Sequence, residues 1–382
     1  MDFSFTQDQE TLRVHLKKLL DEVCPPAYAE RCDNNATPPR EAYQALAENG
    51  WFGLLLPAEY GGADGSAIDL AILLEETGRH FEELAMWLFR TLTYGGYAVM
   101  RNGTREQKEN LLPRLARGEL SFCFALTEPH SGSDAAALTT RAMAADGGYV
   151  ITGQKVFTSG MDISDYCLLI ARTSSGAKKQ HGITNFLVDT RLPGIEVRKI
   201  ETLGQRAIAT TQVFFNEVKV PAAAVLGQVD NGWEAVDAYL WYERLCLSAA
   251  RTGAATTAFD YALEYEIWTA DRAVSGDIAQ IGGHEDDARY LAHHGLPVCV
   301  ADVRGESDPP GCGCAKALHR RDLQGGLRHG APDSRRLRLL HGISAAAVLP
   351  RFAPGNHRRG NLGDSAEHHC AGARALKATA FG

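Results

Sequence analysis

The sequence predicts an α+β protein. An N-terminal helical domain covers residues 1–118, a central β-barrel-like domain 119–225, and the start of a C-terminal helical bundle 226–265; residues 266–382 stand apart. Three observations predict this. Apolar residues recur at three- and four-residue spacing on both flanks of the first 265 residues. Between the flanks lie six short segments rich in β-branched and aromatic residues, separated by turn signals. After Glu266 the composition changes abruptly.

In the N-terminal part, Thr6 followed by Gln9 has capping-box spacing, and Leu12, Leu16, Leu19 and Leu20 follow at helical intervals. Thr37-Pro38 is expected to open a further helix, and Asn49-Gly50 to close it. Thr104 and Gln107 repeat the capping box ahead of Leu111, Leu112 and Leu115. The strand segments are SFCFALTE, YVITGQKVFTS, YCLLIAR, TNFLVDT, IEVRKIE and TTQVFFNEVKVP. Helix resumes near Gly232 and carries its apolar spacing through Tyr265.

The chain has 382 residues, a net charge of −8 and a pI near 5.9, which argues against nucleic acid as the main partner. No apolar run is long enough to span a bilayer. The start, MDFSFTQDQE, lacks the basic and apolar regions of a signal peptide, so a soluble cytoplasmic protein is expected. Nine cysteines without a framework of spacings fit a reducing compartment.

Three stretches carry the chemistry. FALTEPHSGSD (124–134) is a strand end followed by a loop of small residues, which exposes backbone N–H groups and hydroxyls to a phosphate or a ring edge. ITGQKVFTSG (151–160) sets an aromatic before two hydroxyl residues, suited to stacking on a flat group and bonding its edge. LGQRAIATTQVFFNEVKVP (203–221) reads as a loop entering a buried strand. Each alone is also an ordinary turn or strand. Together, in this order and with PAEYGG (57–62) and LLPRLARGELSFCFALTEP (111–129), they resemble the acyl-CoA dehydrogenase family across essentially all of residues 1–265.

The resemblance implies FAD between the β domain and the C-terminal bundle. Phe124, Leu126 and Thr127 would line the flavin, and Phe157 would pack on its ring system. Thr158 and Ser159 would present donors near its N5 edge, with Gly132 and Ser133 near the pyrophosphate. His130-Ser131 stands where the family usually has Gly-Ala, which puts the closure of that loop in question. The implied chemistry removes a proton α to a thioester carbonyl and passes the β-hydrogen to the flavin as hydride, giving the 2,3-enoyl-CoA. Such a base must be shielded from water, which raises a carboxylate's pKa. The candidate is Glu243 in WYERLC, placed like the base of the isovaleryl and long-chain branch; otherwise it is a helix Glu paired with Arg244 or a bundle neighbour. The family also implies a homodimer or homotetramer and an electron-transfer flavoprotein as acceptor. Two rival readings are a CoA-thioester flavoprotein reductase of the crotonobetainyl-CoA type and a non-catalytic helical–β scaffold.

Residues 266–382 hold 13 Arg but 2 Lys, and 9 of the 13 His but 4 of the 31 aromatics. Family motifs expected there are missing. Yet the degenerate codons of this tail, shifted by one base, permit FGRPI, then GGYGY, then GGTSEIQR, in order and in a single frame. A shift of reading frame near codon 266 is the expectation, with a poorly ordered tail, weakened flavin binding and impaired activity as its consequence. The shifted codons permit either EGT or GGT; the first would move the base off Glu243 to a residue this chain lacks. Cys312 and Cys314 with His293, His294, His319, His368 and His369 lack zinc-finger spacing, so no metal site is expected.

Overall fold

The computed structural model describes residues 4–270, with side chains as far as Leu263. The frame-shift reading and the Cys and His residues of the tail therefore lie outside the described residues, apart from the first few positions.

The N-terminal region is helical: α1 (Gln7–Val23), α2 (Pro26–Asn34), α3 (Arg40–Glu48), α4 (Ala67–His80) and α5 (Glu82–Arg90), then α6 (Ala98–Asn102) and α7 (Arg105–Ala116). Both expected capping boxes form. The Thr6 and Thr104 hydroxyls accept from the N–H of Gln9 and Gln107, whose side chains return the bond to the cap N–H. Each such cap contributes about 1 kcal/mol. The expected opening at Thr37-Pro38 is displaced: α3 begins at Arg40 with no side-chain cap. The cause is Pro39, because a residue that precedes proline is pushed out of the helical region and Pro38 cannot be helical. Gly50 then closes the helix at φ +78°.

Between α5 and α6 the chain does not break. Thr91–Tyr97 forms a π-helical segment, with Thr91 through Gly96 buried. Wide turns of this kind are frequent at functional sites, and they rotate side chains off the regular helical stripe.

The strands are β1 (Phe122–Ala125), β2 (Arg141–Ala145), β3 (Gly148–Ser159), β4 (Tyr166–Arg172), β5 (Ile183–Asp189), β6 (Ile195–Lys199), β7 (Thr210–Pro221) and β8 (Val225–Leu226). They form one sheet in the order β6-β7-β3-β2-β4-β5-β8, with β1 parallel to β4. The sheet does not close, so the barrel-like expectation is corrected. The two ends cannot pair: β8 is two residues long, and β6 carries Glu196, Arg198 and Lys199 on an edge. In the middle, β2 meets β4 through a single pair, Arg141 with Arg172.

β1 and β4 are buried on both faces. Phe122, Leu168 and Ile170 pack into the core shared with the helices, whereas Cys123, Ala125, Cys167, Leu169 and Ala171 pack into the core on the other side of the sheet. This period-two split is what strands covered on both sides require.

The long helix α8 (Trp233–Ala270) starts where Gly232 predicts and continues five residues past Tyr265. It lies against α4, and the crossing is close at two glycines. A Cβ on Gly78 would stand 2.1 Å from the Ala250 carbonyl oxygen, and one on Gly253 would stand 2.0 Å from that of Glu75. Gly78→Ala gains about 1 kcal/mol of helix propensity but forces the two backbones apart, at a cost of about 1–3 kcal/mol or more. The expected result is a net loss of stability in urea denaturation, with an unchanged or raised midpoint as the contrary outcome.

Candidate active site

The crossing sets one face of α8 along the π-helical segment. Tyr239, Tyr242, Glu243 and Cys246 recur at helical spacing. Asn102 Nδ2 donates to the Tyr239 hydroxyl (2.8 Å), and Tyr242 stacks on Tyr97 with ring centres 4.3 Å apart. Cys246 Sγ lies 3.6 Å from Thr93 Oγ1. In the middle of this row the Tyr94 hydroxyl donates to Glu243 Oε2 at 2.7 Å.

The electrostatics of Glu243 are a contest. Burial pushes its carboxyl above the ordinary range, while the Tyr94 hydrogen bond and the charges of Arg244, Arg90 and Arg251 pull it down; burial wins. Tyr94 is itself buried and held neutral, its phenol raised by burial and by the Glu243 charge. The result is a partly buried carboxylate with a raised proton affinity and a fixed donor. That is what proton abstraction near neutral pH needs.

Tyr94 connects Glu243 to the strand side. Its ring stacks on Phe124 of β1, with centres 4.3 Å apart and planes 12° apart. Beyond β1 the loop is locked to β3. Val156 N–H donates to the Thr127 carbonyl, and Lys155 Nζ donates to the Leu126 carbonyl (2.8 Å) and to Glu128 Oε1 (3.0 Å). Glu128 also accepts from Thr139 N–H, Thr139 Oγ1 and Thr140 N–H. The loop closes despite His130: Glu128 and Ser131 exchange backbone hydrogen bonds, and Ser131 Oγ donates to the Asp134 carbonyl. His130 points outward, so its bulk is harmless.

Directly after Lys155, β3 carries one residue more than β7 between the pairs Lys155–Val213 and Thr158–Thr211. This bulge turns Phe157 outward. Phe157 has φ +58° and is 65 % exposed. An aromatic residue in the left-handed region is strained, and such strain persists where the surroundings impose it, typically at ligand clamps. Thr158 next to it is buried with its hydroxyl oxygen unpartnered. An exposed ring on a strained backbone and a vacant buried hydroxyl fit a flat polar cofactor in stacking contact.

The structure thus ties the backbone of Thr127, three residues after Phe124, to Val156, the residue before Phe157 and Thr158. Ser159 sits beside them, its hydroxyl 3.4 Å from Thr210 Oγ1. Leu126 is different: its side chain is in the core, and only its carbonyl works at this place, as a Lys155 acceptor. Gly132 and Ser133 lie on the exposed loop, and nothing stands within 4 Å of a Cβ built on Gly132. Tyr94 and Arg90 were not singled out from sequence. The available signal was TYGGY, an aromatic beside a glycine pair inside an otherwise helical run. Gly95 is needed there because a Cβ would stand 2.4 Å from the Phe122 ring. Among the described residues no His, Cys, Asp and Glu cluster could hold a metal ion, and no helix is long and apolar enough to cross a membrane.

Comparison with known proteins agrees with this geometry. Residues 6–119 match the family description "Acyl-CoA dehydrogenase, N-terminal domain", and residues 123–218 match "Acyl-CoA dehydrogenase, middle domain". The chain is 33 % identical to a 3-(aryl)acrylate reductase of Clostridium sporogenes over 68 % of this chain and 69 % of that protein. It is 30 % identical to an acyl-CoA dehydrogenase of Bacillus subtilis, over 76 % and 78 % respectively. Among solved structures, butyryl-CoA dehydrogenase of Megasphaera elsdenii superposes with a TM-score of 0.70 at 26 % identity, covering 76 % of each chain. The FAD complex of PigA shares the fold, with a TM-score of 0.71 at 22 % identity over 80 % of this chain and 82 % of that one. The chain belongs to the acyl-CoA dehydrogenase family, whose members are oxidoreductases.

Proposed function

We propose that this protein is an FAD-dependent acyl-CoA dehydrogenase that converts an acyl-CoA thioester to the 2,3-enoyl-CoA, with Glu243 as the base. The observation that carries the reading is the Glu243 carboxylate held by Tyr94, whose ring stacks on Phe124 of β1; the strained Phe157 lies on β3, to which the loop after β1 is bonded. FAD, when bound, supplies the hydride acceptor. Phe157, Phe124 and Thr127 hold its ring system, Thr158 and Ser159 offer hydroxyls to its edge, and Gly132 and Ser133 give its phosphates an open loop. Glu243 takes the α-proton of the thioester; Tyr94 fixes the carboxylate and favours its ionised form. By family likeness the protein assembles as a homodimer or homotetramer, works in a soluble compartment and hands electrons to an electron-transfer flavoprotein. The departure of residues 266–382 from the family pattern means low turnover for the chain as written.

The test uses the full chain with excess FAD, acyl-CoA thioesters of several lengths and an artificial electron acceptor. The expected products are enoyl-CoA thioesters two mass units lighter. Tight binding of thioesters with neither flavin binding nor product would overturn the reading in favour of a non-catalytic scaffold. Reduction of enoyl-CoA when an electron donor replaces the acceptor, with no dehydrogenation when the acceptor is present, would favour a reductase.

A further inference from the structure

Loop 201–209, which leads into β7, is fastened to the ends of two helices. Arg206 pairs with Asp33 near the end of α2: its Nε donates to Asp33 Oδ1 at 3.2 Å and its Nη2 to Asp33 Oδ2. The same Nη2 lies 3.3 Å from Asn34 Oδ1. At the start of α5, Gln205 Nε2 donates to Glu82 Oε1 (3.3 Å), and the Ile208 N–H donates to Glu83 Oε2 (2.7 Å). Among these ties Gln205 is held at φ +56°, a strained backbone for a residue with a side chain. Leu203, toward the loop tip, is 80 % exposed. On its far side the loop joins the strands of the candidate site. Gly160 N–H donates to the Ala209 carbonyl (2.8 Å), and Thr211 Oγ1 donates to the Thr158 carbonyl (2.6 Å).

Glu83 is buried, and its carboxyl also hydrogen-bonds the Asp33 carboxyl. Two carboxyl groups make such a bond only when one of them carries a proton, because an ionised carboxylate offers acceptors alone. Arg206 decides which. Burial works to raise Asp33, but the guanidinium outweighs it and holds Asp33 below the ordinary range, ionised. Burial pushes Glu83 up to about 8; the Ile208 N–H opposes this and the Asp33 charge adds to it. The proton therefore rests on Glu83. The other groups around Glu83 supply no second counter-charge. Arg90 of the same helix has its own charge opposed by burial, and the Cys32 thiol of α2 is raised by burial. Glu82 is engaged by Gln205 and by Arg251 of α8, at 3.7 Å.

We propose that the proton shared by Glu83 and Asp33 is the catch of a pH-sensitive clasp, which fastens loop 201–209 onto α2 and α5 in acid and loosens it as the pH rises. When the proton leaves, two carboxylates face each other in a buried place with one guanidinium to serve both, and like charges so placed are unfavourable. Relief comes from moving the loop. The helices are fixed, since Tyr28 and Cys32 of α2 and Leu84, Ala85 and Leu88 of α5 are buried in the core. The loop has water at its tip and a strained residue that relaxes on release. Once released, Glu83 titrates near the ordinary 4.5, below its clasped value. The closed state therefore holds the extra proton between these two values. Closure is fully favoured below about 4.5, weakens through neutrality and levels off above about 8. This clasp depends on neither the flavin nor the acyl-CoA reading.

The test is hydrogen–deuterium exchange of the full chain between about pH 5 and pH 9, read by mass spectrometry as protection relative to the intrinsic rate at each pH. In the wild type, protection of the Ala207 and Ile208 amides is expected to fall roughly 100-fold from pH 5 to pH 8 and then level off, while the amides of β4 keep theirs. Glu83→Gln retains an acceptor for the Ile208 N–H and does not ionise, so its protection should stay near the acid value of the wild type throughout. Asp33→Asn removes the like charge together with the partner of Arg206. Its protection should start lower and change by less than about tenfold over the same range. Protection independent of pH in the wild type, or an equal fall in Glu83→Gln, overturns the proposal. If Glu83→Gln does not fold, Asp33→Asn decides: a fall as large as that of the wild type overturns the proposal.

Discussion

Lys155→Met is expected to lower stability by about 3–5 kcal/mol, the usual cost of breaking a buried ion pair by removing one partner. Lys155 and Glu128 are 0 % and 1 % exposed at their side chains and stand 3.0 Å apart. Burial pulls the Lys155 ammonium down to about 8 against the pull of Glu128, so it remains charged at neutral pH. Burial pushes Glu128 up, but Lys155 and the donors on Thr139 and Thr140 more than reverse this and hold it at about 2. Removing the ammonium leaves a buried carboxylate with only the threonine donors. A double variant, Lys155→Met with Glu128→Leu, is expected to recover much of the loss, since an apolar pair of similar volume is often neutral. It is not expected to recover flavin binding, because the same two residues tie the Leu126–Ser131 loop to the strand that carries Phe157. Urea denaturation of the single and double variants, with an FAD titration of each, separates the two effects. Single-variant stability within about 0.5 kcal/mol of wild type would refute the argument.

The same pair gives the acid limb of stability. The Lys155 ammonium and the threonine donors hold the Glu128 carboxyl at about 2 in the folded protein, against 4.5 for an ordinary glutamate. The folded state therefore binds fewer protons than the unfolded state between these values, and stability falls as pH drops through that window. Above pH 4.5 the contribution is fully present. It amounts to roughly 3 kcal/mol, from about 1.4 kcal/mol per pKa unit.

The legibility of this fold in its sequence was uneven for physical reasons. The longer strands were readable because β-branched and aromatic residues mark them. β2 was not: Arg141–Ala145 reads RAMAA, which has neither strand propensity nor a clean alternation, and is extended only because β3 pairs with it. The two-residue β8 is likewise made by its neighbour β5. Closure of the sheet could not be read at all, since it depends on which edges meet. At the site, the Phe157-Thr158-Ser159 stretch was legible as an aromatic followed by hydroxyls. The bulge that turns Phe157 out was not, because it arises from a residue count on two strands far apart in sequence. Leu126 shows the limit of carrying a motif over by position: the residue is in place, but its backbone carbonyl is what reaches the site. Tyr94 and Arg90 escaped because a π-helical segment shifts the helical spacing from which their face would be inferred.

The base assignment leads to the second large effect. Glu243→Gln is expected to slow exchange of the α-proton of a bound acyl-CoA by about 10²–10⁴-fold, the range for losing a general base. Exchange into deuterated water, followed by mass spectrometry, reads proton removal without requiring hydride transfer. The wild-type rate should rise with pH as Glu243 ionises, then level off. Tyr94→Phe removes a donor to the ionised carboxylate, so Glu243 should hold its proton to higher pH. On the rising limb the rate should then fall roughly 10- to 100-fold, as expected for one hydrogen bond to a charged group. The plateau at high pH should be largely kept. A structural tyrosine would instead lower the plateau without moving the limb. Stability gives an independent check with the opposite sign from Glu128. Because burial raises the folded pKa of Glu243, its contribution is fully present below the unfolded pKa and is lost as pH rises through the folded value. Glu243→Gln carries no such charge, so its melting temperature at pH 8 should equal or exceed that of the wild type while exchange collapses. A stable Glu243→Gln protein that exchanges the α-proton at the wild-type rate would remove Glu243 from the mechanism and place the base elsewhere.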